Sequence, residues 1–179
     1  LPIDLVEKFK SEFDPIFAEK QKRFYARFAA PGRYGANHDI NRWNMLLPSE
    51  SSMLSSGFFA QEALFSTLKS VFNDDFSLVF FSSDISSPGS TFQTIHQDGN
   101  DFAVALNVPL IDTNEVNGAT QIYPDTHRIS SDSEFTNESN EFTDDQIIAR
   151  ANALNPLTLD VNRGDYTLRD LRLIHRGTP

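Results

Sequence analysis

Pro88-Gly89-Ser90-Thr91-Phe92-Gln93-Thr94-Ile95-His96-Gln97-Asp98-Gly99 is the stretch on which the fold turns. Ser86-Ser87-Pro88-Gly89-Ser90 reads as a turn, and residues 91–98 then read as a short strand. Alternate residues of a strand point to one face, so Thr94, His96 and Asp98 share a face. Gln97 takes the opposite one, and Gln93 would need a bulge to join the first. Outward from this stretch, residues 76–81, 101–110, 119–123, 157–161, 164–168 and 171–176 read as further strands. Turn residues separate most of them, notably Asn117-Gly118 and Asn162-Arg163-Gly164-Asp165. That gives seven strands. In the last, Leu171, Leu173 and His175 share the apolar face, so His175 is expected to point into the core.

The first third has a different texture. Leu5, Phe9, Phe13, Ile16, Phe17, Phe24 and Phe28 recur at helical spacing over residues 3–29, and Pro15 predicts a break into two helices. Residues 37–48 read as irregular and hold the only Trp, Trp43, beside Arg42; a further amphipathic helix is expected over 57–72. Helices first and strands afterwards predict one domain over 1–179, with a helical N-terminal region (1–75) packed outside a β core (76–179). The core carries an insertion at 129–150. Its first 21 residues hold six acids (Asp132, Glu134, Glu138, Glu141, Asp144, Asp145) and no Lys or Arg. It is expected to be a solvated, mobile loop leading into a short helix near 143–152.

Composition excludes several classes. With 25 acidic and 15 basic side chains the net charge is −10, which opposes nucleic acid or an anionic membrane as the main partner. Hydrophobic residues reach 39% with 16 Phe, too many for a disordered chain. No stretch approaches the roughly 18 apolar residues of a spanning helix. Nothing near Leu1 reads as a signal peptide, so a cytoplasmic location is expected. Absence of Cys removes disulfides, thiolate zinc sites and cysteine nucleophiles.

Histidine and carboxylate chemistry remain. A barrel interior receiving His96, Asp98 and His175 gathers two imidazoles and one carboxylate, the facial set of non-haem iron(II) oxygenases. Three ligands on one face of an octahedron leave three positions open, two for a chelating co-substrate and one for dioxygen. On spacing alone this reading and that of two ordinary core histidines stand side by side. His127 ends a turn and reads as structural, while His38 lies in a Gly/Asn-rich loop.

The segment 88–99 resembles the region around the first two metal ligands in the phytanoyl-CoA dioxygenase family. Asn107-Val108-Pro109-Leu110-Ile111-Asp112, then Asn117-Gly118-Ala119 and Tyr123-Pro124-Asp125-Thr126-His127-Arg128, is similar to its middle block, and Gly164-Asp165 with Leu173-Ile174-His175-Arg176-Gly177-Thr178-Pro179 to its last. The resemblance covers residues 76–179 well and the first third loosely. It implies a mainly β double-stranded β-helix, a cupin-like jelly roll of eight strands with flanking helices. It implies Fe(II) on His96, Asp98 and His175, with 2-oxoglutarate as co-substrate and ascorbate as a helper. The implied activity is that of a dioxygenase which hydroxylates, or otherwise oxidises, a small organic molecule with O2 and releases succinate and CO2. Gln93, Thr94 and Arg42 are the candidate co-substrate contacts.

Two departures stand out. Asp125 occupies a family glycine position, which is expected to alter only a turn. The family's arginine for the distal carboxylate of 2-oxoglutarate lies beyond the last histidine, so it and the eighth strand are expected after Pro179. Arg176, adjacent to His175, faces the other way by alternation. The competing readings are a cupin-like metalloprotein without 2-oxoglutarate chemistry, such as an isomerase or hydrolase, and a non-catalytic binding module that keeps the ligands.

Overall fold

The computed structural model describes residues 1–27, 41–47, 54, 61–73, 75–99, 101–127 and 144–179. Along these the order is α1 (Ile3–Arg27), β1 (Arg42–Leu46), α2 (Glu62–Phe72), β2 (Ser82–Ser86), β3 (Val104–Asn107), β4 (Thr120–Ile122), α3 (Asp144–Asn152), β5 (Leu157–Thr158), β6 (Thr167–Asp170) and β7 (His175–Gly177). It is a β-rich chain with a few helices. No helix among the described residues is long and apolar enough to cross a membrane. The acidic stretch before Asp144 and His38 lie outside the described residues, as does the expected mobility of that stretch.

The expected break at Pro15 is not found: α1 runs through it. Proline removes one backbone hydrogen bond and costs about 3 kcal/mol inside a helix. The apolar stripe of α1 offsets this, because it lies on both sides of the proline. Phe9 and Phe13 are buried against Met45, with Phe17, Phe81, Ile85 and Leu110 packed around them. Each large apolar side chain so buried contributes roughly 1.5–3 kcal/mol. Phe17 stacks on Phe13 at 5.9 Å and meets the Trp43 ring edge-on at 5.7 Å.

The tract expected to be irregular contains β1, so the first third is not wholly helical. β1 pairs antiparallel with β2, Trp43 opposite Ile85. Trp43 and Met45 are buried, which is the alternation of a half-buried strand. The strand expected over Phe76–Phe81 is also not found, and its serine-rich continuation forms β2 instead. Val79 is 92% exposed, and Leu78 and Phe80 are exposed with it. An apolar run says that burial is favourable; a strand also needs a partner in register. Ser82–Ser86 has one in β1, and Phe76 packs as a side chain on Phe65 and Phe72.

The remaining strands form two small sheets. β3 pairs with β6, Ala105 opposite Arg169. β4 pairs with β5 on one side and β7 on the other, Ile122 opposite His175. The strand expected over 91–98 reduces to one bridge at His96, facing His175. Gln93 N–H donates to Gly177 O at 3.0 Å, so residues 93–96 run along the edge of β7 not taken by β4. α3 closes this end: its Ile147 and Ala151 are buried with Tyr123 and Ile174. Asp125 adopts φ 63°, the left-handed region that glycine enters freely and Asp tolerates, so the turn survives the glycine's replacement.

Gly118 follows Asn117 with φ +93°, and a Cβ there would sit 2.6 Å from Ser86 Cβ. Gly118→Ala is therefore expected to cost at least about 2 kcal/mol in urea unfolding, through backbone strain and overpacking together. Gly99→Ala, whose Cβ would meet Leu171 Cβ at an ordinary 3.7 Å, is expected to stay within about 0.5 kcal/mol of the parent. Equal costs would show that the Gly118 turn is not a constraint.

Candidate metal centre

His96 and His175 exchange both backbone hydrogen bonds, at 3.1 and 3.0 Å. Residues directly opposite in an antiparallel pair place their side chains on one face. The imidazole rings accordingly lie 4.3 Å apart between centroids. Asp98, two residues further along, is fixed by its own N–H to Leu171 O at 3.0 Å and turns its carboxylate to the same place. One ligand atom from each of His96, Asp98 and His175 lies within 4.8 Å of the other two. His96 Nε2 is 3.4 Å from Asp98 Oδ1, and His175 Nε2 is 3.5 Å from Oδ2.

The far sides of the rings decide which nitrogens are free. His96 Nδ1 is 2.7 Å from Thr94 O and His175 Nδ1 is 3.0 Å from Leu173 O. An N–H at each Nδ1 satisfies the carbonyl and leaves the Nε2 lone pairs facing Asp98, the tautomer a metal requires. Arg169 Nη1 lies 3.3 Å from the same His175 Nδ1, and one nitrogen cannot serve both neighbours. With a metal on Nε2 the ring proton sits on Nδ1, where the Leu173 carbonyl accepts it.

Electrostatics agree with that assignment at His175, whereas at His96 the proton on Nε2 is one that a metal would displace. Burial and the Arg169 charge push the His175 imidazolium down to about 4, so His175 is neutral at pH 7. Burial opposes ionisation of Asp98, but the His96 hydrogen bond, His175 and Arg169 outweigh it and hold the carboxyl far below its usual range. Burial would also depress His96; the Asp98 hydrogen bond and the Thr94 carbonyl reverse this and raise it. The set offers two imidazole nitrogens and one ionised carboxylate, which fits a divalent first-row metal such as Fe(II).

The other candidates are placed as follows. Gln93 Oε1 accepts from Gly177 N–H at 3.0 Å, so its side chain braces β7. Thr94 is exposed, and its carbonyl orients His96. Arg42 is buried with Trp43; its Nε donates to Thr91 O at 2.7 Å and its Nη2 to Thr178 O. Arg176 turns away from the triad, as alternation expected, donating to Gln121 Oε1 at 2.9 Å over the Phe92 ring. Gln97 also faces away and donates to Arg172 O.

Two residues at the site escape the sequence reading. Arg169, on β6, donates to Asp98 Oδ2 and is 9% exposed. The strand expected over 164–168 stops one residue short of it, and only its register with Ala105 on β3 turns it inward. Thr126, 1% exposed, donates to Tyr123 O at 2.7 Å and accepts from Ile174 N–H at 2.9 Å, which holds the residue before His175. An arginine bordering an expected strand was the available signal for the first, and nothing local marks the second.

Two histidines and an aspartate brought together beside small antiparallel sheets are the ligand set used by iron- and 2-oxoglutarate-dependent enzymes. The family profile described as Phytanoyl-CoA dioxygenase (PhyH) matches residues 1–179. The chain belongs to the phytanoyl-CoA dioxygenase family and is an enzyme of that iron- and 2-oxoglutarate-dependent class. Solved structures share the fold. AviO1 from Streptomyces viridochromogenes Tue57 superposes with a TM-score of 0.65 at 16% identity, over 100% of this chain and 78% of its own. The non-heme alpha ketoglutarate dependent carbocyclase SnoK from nogalamycin biosynthesis gives 0.68 at 13%, over 97% and 68%. The epimerase SnoN, solved with Fe3+, alpha ketoglutarate and nogalamycin RO, gives 0.60 at 13%, over 99% and 69%. At such identities the likeness is one of fold.

Thr126→Ala is expected to destabilise by about 1–3 kcal/mol, because it leaves the buried Ile174 N–H without an acceptor. Thr126→Ser keeps the hydroxyl and should recover most of the loss in the same thermal or urea unfolding measurement. Failure of serine to recover it would assign the effect to the lost methyl.

Proposed function

We propose that this chain is a dioxygenase in which His96, Asp98 and His175 hold Fe(II) and 2-oxoglutarate chelates it. The observation that carries the proposal is the convergence of His96 Nε2, His175 Nε2 and the Asp98 carboxylate, with both Nδ1 atoms turned to carbonyls. With 2-oxoglutarate and dioxygen, the bound metal supplies an oxidant strong enough to take hydrogen from an unactivated C–H bond. The balanced outcome is hydroxylation: one oxygen atom of O2 enters the substrate, the other enters succinate, and CO2 leaves.

Each residue has a role that follows from its contacts. Thr94 and Leu173 carbonyls fix the two rings. Asp98 supplies the single anionic ligand, and as a carboxylate it fills the position that a halide would need, so oxygenation is favoured over halogenation. Proteins of this fold include a carbocyclase, SnoK, and an epimerase, SnoN. Hydroxylation is the outcome proposed here. The substrate is a small organic molecule; a net charge of −10 opposes a polyphosphate-bearing one.

The strands belong, in the same proposal, to one jelly-roll domain. The position of β7 between β4 and residues 93–96 supports this, since both β7 edges near His175 are paired.

Anaerobic reconstitution with Fe(II), followed by metal analysis and by succinate release from 2-oxoglutarate with ascorbate and air, tests the proposal. Asp98→Ala is expected to lower iron affinity at least tenfold and abolish succinate release, because it removes the charged ligand. Thr94→Ala keeps the orienting carbonyl and should retain iron within about threefold. Equal iron content in the two variants would defeat the assignment.

A further inference from the structure

We propose that Arg169 is a specificity-determining residue of this centre: its fixed charge matches the metal-loaded site to a chelating dianion in preference to a monoanion. The inference rests on the metal-site reading above and goes beyond it in assigning a role to a residue outside the triad.

A guanidinium stays protonated at any relevant pH, and a buried one needs an anion close by. Arg169 is nine-tenths buried, and among the described residues the one carboxylate that it hydrogen-bonds is Asp98. Nη1 faces His175 Nδ1, which carries its own proton in the ligating tautomer. Nε–H finds no acceptor among the described residues. Neighbouring cations do not share this situation: Arg172 pairs with Asp170, and Arg176 is taken by Gln121 and the Phe92 ring.

Asp98 therefore serves two cations at once. Its Oδ2 carries the guanidinium while the same carboxylate is the only anionic member of the triad. The two histidines ligate as neutral rings. With a divalent metal in place, the charges are +2 for the metal, −1 for Asp98 and +1 for Arg169, a total of +2. Without Arg169 the total falls to +1, which a monoanionic oxoacid neutralises as well as a dianion does. A centre of +2 in a half-buried place is matched by a chelator of charge −2, and 2-oxoglutarate has that charge at neutral pH. Coulomb attraction scales with the product of the charges, so removing one positive charge weakens a dianion about twice as much, on a logarithmic scale, as a monoanion.

The test uses anaerobic calorimetry on protein loaded with Mn(II), which resists oxidation and binds similar ligands. Wild type, Arg169→Met and Arg169→Lys are each titrated with Mn(II), then with 2-oxoglutarate, then in a separate run with pyruvate. Pyruvate has the same chelating head and one charge. Arg169→Met is expected to bind Mn(II) as tightly as wild type or more tightly, because a repelling cation has gone and the ligands remain. It should bind 2-oxoglutarate about 30- to 100-fold more weakly and pyruvate only about 5- to 10-fold more weakly. Arg169→Lys, with the charge kept and the fork lost, should fall between. If Arg169→Met does not fold, Arg169→Gln carries the same comparison.

Wild-type affinity for 2-oxoglutarate in Arg169→Met, or equal losses for both oxoacids, would overturn the inference alone. A loss of Mn(II) affinity that parallels the loss of 2-oxoglutarate would overturn it too, by showing that Arg169 acts only through the geometry of Asp98. Wild type that binds no metal would overturn the metal-site reading itself, which separates the two failures.

Discussion

Two backbone hydrogen bonds, exchanged between His96 and His175, are the constraint on which the site depends. They join residues 79 apart in the chain and fix them directly opposite each other. Face and depth of both rings follow from that pairing, and Asp98 follows from the strand period two residues on. The supports on either side serve the same bridge. Thr126 takes the Ile174 N–H, and Gln93 takes Gly177 by side chain and backbone together. A slip of one residue in this register would put the two imidazoles on opposite faces.

Around that bridge the protein places opposed charges at close range. Three groups that could all be positive, His96, His175 and Arg169, surround one carboxylate. Burial removes the charge from His175, and Arg169 keeps its own because a guanidinium cannot release it. A half-buried charge pair of this kind is a poor source of stability, since desolvation offsets much of the attraction.

Local patterning made the triad readable. His96 and Asp98 share a face through a two-residue period, and His175 sits on the apolar side of its own short run. Other features depend on partners that a single segment does not reveal. Trp43 and Met45 alternate as a strand does, but the tract looked irregular because loop-like residues surround it. Phe76–Phe81 has the composition of a strand, yet the hydrogen-bonded register belongs to the serines that follow. Pro15 fails to break α1 because tertiary packing on Met45 outweighs a local penalty. Arg169 was invisible for a related reason, since its inward direction is decided by a register with β3 more than sixty residues earlier.

Arg42 has a bearing on time as well as on packing. Its side chain reaches Thr178 O, 136 positions away, while its strand begins a sheet that must wait for β2. The two histidines likewise meet only once β7 exists. During synthesis the helix α1 and the β1–β2 pair can form early, but the cluster of ligands cannot, because His175 follows His96 by 79 residues. Contacts this distant along the chain slow folding, since loop entropy is lost before they contribute. Metal capture is thereby deferred until β7 has been made, and a nascent chain that stops short of it lacks one of the three ligands.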